Sequence, residues 1–131
     1  MNKILNEILA HLEFLGYQIE PRDENTVLAK HSTHGNTHVK IYLDGILVQQ
    51  LFRLTDQAKS KRQEFLEAIN KLNSTANVAT FVSGGEDDVL RIDGLYLGDY
   101  SKQKFGLFIE KYNYDTNQYL LSHEDMRPFL A

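Results

Sequence analysis

At 131 residues, with 42% hydrophobic and 24% charged side chains, the chain has the length and balance of a single globular domain rather than a disordered segment. Cysteine is absent, which removes disulfides, thiolate catalysis and Cys-based zinc motifs together. The formal net charge of −4 weighs against a nucleic-acid partner, and the one basic run, Lys59, Lys61 and Arg62, opens a predicted helix without interleaved aromatics.

The chain opens with Asn2, Lys3, Asn6 and Glu7 where a signal peptide needs an unbroken apolar run. No stretch approaches the roughly 20 apolar residues of a membrane helix. A cytoplasmic protein without a membrane partner is therefore expected.

Ile4, Leu5, Ile8, Leu9, Leu12 and Leu15 recur at helical spacing, which predicts a first helix from about Asn2 to Leu15, stopped by Gly16. Pro21 and the charges Arg22, Asp23 and Glu24 make Tyr17 to Asn25 a loop or a sheet edge. Three strands are predicted next, at Thr26 to His31, Thr37 to Leu43 and Ile46 to Leu54. Asp44-Gly45 between the last two has the residues of a type I′ turn. That turn sets Leu43 opposite Ile46 and Ile41 opposite Val48, with Val39 and Phe52 on the same core face. The other face then holds Lys40, Gln49 and Arg53, but also Tyr42, Leu47 and Leu51.

A second helix is predicted from about Asp56 to Asn73, with Thr55 or Asp56 as its N-cap. Its stripe is Ala58, Phe65, Leu66, Ile69 and Leu72, with Arg62 snorkelling from within it. Val78 to Ser83 and Val89 to Leu97 read as strands joined at Gly84-Gly85, with Gly94 as a bulge or bend. A third helix starts near Ser101 with Phe105, Phe108, Ile109, Tyr112, Tyr119 and Leu120 on one stripe. The poor helix formers from Asn113 to Asn117 predict a break. The tail from His123 either frays or docks through Phe129. The order α-β-β-β-α-β-β-α makes one α+β domain over residues 1–131, an antiparallel sheet packed with helices.

That order, with Ile69-Asn70-Lys71-Leu72-Asn73 closing the second helix, Phe81 in the next strand and Leu90-Arg91-Ile92 after an acidic turn, resembles the YbjN-like family. Those bacterial proteins share the fold of type III secretion chaperones. The resemblance covers about Asn2 to Leu121. It implies a type III secretion chaperone-like fold and a small homodimer that holds extended segments of partner proteins, without ATP or catalysis. The third helix is richer in aromatics than in the secretion chaperones, so fold and style of function carry over and the secretion substrate does not.

His31, His34 and His38 flank one predicted turn, and three imidazoles can bind zinc or copper. A two-residue turn at His34-Gly35 sets His31 opposite His38. A three-residue loop turns the two to opposite faces and brings Val27 and Ala29 into the core. The second register buries apolar residues better, and no carboxylate or Cys completes a shell. No metal and no cofactor are expected. Glu86, Asp87 and Asp88 lack the alternating ligands and internal Gly of a calcium loop, and read as a charged turn. Gly84-Gly85, Ser83 and Ser101 match no phosphate loop or nucleophile elbow. No catalytic residue is assigned.

The apolar surplus carries more information. Tyr42, Leu47 and Leu51 share the face turned from the core, and Leu107, Tyr114 and Leu121 recur every seventh residue opposite the core stripe of the third helix. Exposed apolar groups so arranged mark a partner or dimer surface unless other parts of the chain cover them. The expectation is a non-catalytic, dimeric, chaperone- or adaptor-like protein-binding domain. The alternative is a small-molecule-binding or enzymatic domain whose seven Tyr and seven Phe line a pocket between sheet and helices.

Overall fold

The computed structural model describes residues 2–83 and 88–131. Among them, α1 (Lys3–Phe14) precedes β1 (Gln18–Pro21), β2 (Thr26–Lys30), β3 (Thr37–Tyr42) and β4 (Gly45–Arg53). Next come α2 (Gln57–Ser60), α3 (Arg62–Thr75), β5 (Thr80–Ser83), β6 (Val89–Leu97) and α4 (Lys102–Tyr114). A π-helical turn (Asp115–Tyr119), α5 (Leu120–Ser122) and a 3-10 turn (Glu124–Phe129) complete the chain. The strands form one antiparallel sheet in the order β1-β2-β3-β4-β6-β5. The expected α+β class is the observed one. The Gly84-Gly85 hairpin and the acidic residues Glu86 and Asp87 lie outside the described residues.

All the long helices cover one side of the sheet. Leu5, Ile8 and Leu12 of α1, Phe65, Ile69 and Leu72 of α3, and Phe105, Ile109 and Tyr112 of α4 form one core with Val39, Ile46, Val48, Leu90 and Ile92. The opposite sheet face has no helix on it among the described residues. The aromatic residues between the layers pack on one another rather than around a pocket: Phe105 lies edge-on to Tyr96 at 5.3 Å, and Phe108 stacks on Tyr112 at 6.3 Å.

Several local expectations need correction. The β3–β4 turn is Leu43-Asp44, not Asp44-Gly45, since Tyr42 pairs with Gly45, Ile41 with Ile46 and Val39 with Val48. The slip is by two residues, so every strand side chain keeps its expected face. Leu43 itself leaves the core: it is 85% exposed and takes φ +51°. Gly45 is claimed by the sheet, because a Cβ there would lie 2.6 Å from the Tyr96 carbonyl oxygen on β6. Gly94 serves the same need, as its missing side chain makes room for the Tyr112 ring. That ring brings its hydroxyl to the Ile92 carbonyl at 2.7 Å, and burial pushes the phenol far above its usual range.

The second predicted helix is broken at Lys61. Of the two expected N-caps Asp56 holds the position, without a side-chain capping bond, while the Thr55 hydroxyl donates to the Pro128 carbonyl at 2.6 Å. Ala68 replaces Leu66 on the buried stripe, and Leu66 is exposed. The third predicted helix does not break at Asn113. It continues through the π turn, which carries Asp115 inward to accept from the backbone N–H groups of Asn77, Val78 and Ala79. The tail docks: Met126 and Phe129 are buried, and Leu130 bridges to Leu54.

Candidate functional site

The uncovered sheet face follows from strand alternation and from the register. Leu47 pairs with Leu95 and with Lys40, and Gly45 sits between Tyr42 and Leu97. Tyr42, Leu47, Leu95 and Leu97 therefore form one apolar block at one end of this face. Leu97 is 65% exposed and Leu95 43%. The small Gly45 lets the two β6 leucines lean together, with Leu97 Cδ2 3.0 Å and Leu95 Cδ1 3.3 Å from where a Cβ would stand.

A polar belt crosses next. Gln49 Nε2 donates to Asp93 Oδ1 at 2.9 Å, and Arg91 Nε donates to the same carboxylate at 3.1 Å. His38 pairs with Gln49 in this row, and burial first, with Arg22 and Lys40 adding, lowers its pKa. Beyond the belt stands Leu51, 56% exposed, opposite Arg91. So Tyr42, Leu47 and Leu51 do share one face, as expected, with Leu51 separated from the other two by the belt. Leu95 and Leu97 were missed. Their period-two alternation with Gly94 and Tyr96 was the available signal.

The helical stripe is elsewhere. Leu107, Tyr114 and Leu121 are exposed on the outer side of the α4–α5 segment, which packs its inner side on the sheet through Phe105, Ile109 and Tyr112. The two candidate surfaces thus lie on opposite sides of a two-layer molecule. They are not brought together.

His31 and His34 lie together, with ring centroids 4.5 Å apart, but His38 does not join them. His31 and His34 lie in a loop longer than expected, between Lys30 and Thr37, whereas His38 is in β3. Val27 and Ala29 are buried, as the register requires, with Val27 paired to Val39 and Ala29 to Thr37. His31 Nδ1 accepts from the Thr33 and His34 backbone N–H groups at 3.1 and 3.3 Å, which places the proton on Nε2, facing the Leu15 carbonyl at 3.2 Å. Both ring nitrogens are thereby used to tie the loop to the end of α1. Among the described residues no three His, Asp or Glu side chains are grouped as metal ligands.

A cleft of about 470 Å³ separates α1 from α4. His11 of α1 and Leu15, which caps that helix, line it together with Tyr17 and His34. Further lining comes from Gly106, Glu110 and Asn113 of α4, with Tyr114 at its rim and Asn117 and Gln118 from the π turn. Asn113 Nδ2 donates to the Tyr17 hydroxyl at 2.8 Å, and the Asn113 amide oxygen is buried without a partner. Burial lowers the pKa of His11 and His34, aided by Lys102 beside the first and His31 beside the second.

No helix among the described residues is long and apolar enough to cross a membrane. No protein-family model matches the chain, and no curated protein matches it in sequence. Among solved structures it is similar to YbjN from E. coli, a proposed transcription regulator, with a TM-score of 0.69 and 14% identity over 97% of this chain and 95% of that one. At that identity the likeness establishes the architecture and nothing finer: this chain has a YbjN-like α+β fold.

Proposed function

We propose that the chain is a non-catalytic protein-binding domain, a homodimer of chaperone- or adaptor-like action in the cytoplasm, which carries no cofactor. One observation supports this reading above the others. The uncovered sheet face presents the exposed Tyr42, Leu95 and Leu97 around a half-buried Leu47 as a contiguous block, with Leu51 beyond it. Leaving such rows in water forgoes about 25 cal/mol for each Å² of apolar surface, a cost that contact with another polypeptide recovers. The belt of Gln49, Arg91 and Asp93 supplies the polar groups that fix register at an interface. The net charge of −4 disfavours DNA as the partner, which supports a polypeptide instead.

The test is a series of charge substitutions read by light scattering and circular dichroism. Leu47→Asp and Leu97→Asp should shift a dimer towards monomer with the secondary structure intact, and Tyr114→Asp should leave the dimer unchanged. Dissociation by Tyr114→Asp alone would move the interface to the helical stripe. A wild-type monomer would remove the dimer.

A further inference from the structure

The cleft between α1 and α4 lies on the helical side of the molecule and is independent of the sheet face. We propose that it is a binding site for a small organic cation, an ammonium or guanidinium group carried on a flat apolar body. Its volume of about 470 Å³ falls within the range of small-molecule sites. Its chemistry is one-sided. Among the residues that line it Glu110 is the one carboxylate and no Lys or Arg is present, while burial lowers the pKa of His11 and His34.

The remaining walls suit a cation as well. Tyr17 is buried, with its ring packed against His34 at 6.1 Å and His31 at 4.8 Å, so the ring that stands open to the cleft is that of the exposed Tyr114. Ring faces are the negative ends of aromatic quadrupoles and attract cations. The neighbouring hollow already shows this chemistry: Lys102 Nζ lies 5.9 Å from the centroid of the Phe14 ring, and His11 borders both spaces. The Asn113 amide is bonded to Tyr17 through its nitrogen, and its oxygen is buried without a partner.

Two features of the chain keep the cleft in shape. Gly106 stands on α4 opposite His11, where a Cβ would lie 3.7 Å from the imidazole and narrow the space. The π turn feeds Asn117 and Gln118 into the wall, and turns of this type recur at functional sites.

Two probes with the same ring and opposite charge test the proposal: phenethylamine and phenylacetate, titrated into the full chain near neutral pH and followed by heteronuclear NMR. Phenethylamine should shift the Tyr17, His34 and Asn113 signals saturably, with phenylacetate at least about tenfold weaker. Glu110→Gln, at an exposed position, should weaken phenethylamine by about tenfold or more and leave the rest of the spectrum in place. Equal responses to the two probes, unchanged binding by Glu110→Gln, or no saturable shift by about 10 mM would overturn it.

Discussion

The histidines show how a residue's surroundings set its chemistry. His11, His34 and His38 all have their pKa lowered from 6.5, in each case first by burial. The unfolded chain therefore binds more protons than the native one below about pH 6.5, and stability falls as the pH drops from there through the lowered native values. Urea midpoints should be flat above about pH 7.5 and decline towards pH 5.5. The exposed pairs Glu20–Lys30 and Asp125–Lys71 have lowered carboxylate pKa values and act only in the more acidic range below these histidines. None of this was readable beforehand, because burial of an imidazole depends on which elements close over it. The sequence did place the three histidines around one turn. It could not show that His31 spends both nitrogens on the loop backbone and the end of α1.

At the scale of elements, periodicity located the strands and helices well, and their ends poorly. The β3–β4 turn is the clearest case. Asp-Gly is the better local turn, yet the β6 backbone comes so near Gly45 that only glycine fits in the strand, and the turn moves onto Leu43. A leucine at φ +51° with no packing to lose is strained, so Leu43→Gly should raise stability by about 0.5–1 kcal/mol in thermal melts. The π turn was hidden for the same reason. Asn113 to Asn117 is poor helix sequence, but the grip of Asp115 on residues 77–79 holds the helix through it. The outer edge of β5 is closed by a side chain as well: Asn73 Oδ1 accepts from the Phe81 N–H at 2.7 Å, and its Nδ2 donates to the Phe81 carbonyl at 2.9 Å. An amide that mimics a neighbouring strand blunts an edge against strand addition. Asn73→Ala should speed hydrogen exchange at the Phe81 amide and cost about 1–2 kcal/mol. Unchanged exchange there would show that the edge is protected by something else.

For the whole molecule, the arrangement of layers decides what is free to meet a partner. Helices on both sides of the sheet would have covered Tyr42, Leu47 and Leu51; instead α1, α3 and α4 share one core on one side. The face itself was legible from alternation, and its extension to Leu95 and Leu97 needed the β4–β6 pairing, which brings together residues far apart in the chain. The most direct measurement is sedimentation equilibrium of the unmodified chain across a hundredfold range of concentration. The expected result is a mass of two chains that declines towards one on dilution, and that falls to one throughout in Leu97→Asp. A mass of one chain at every concentration, the same in both proteins, would contradict the assignment of the sheet face as a self-association surface.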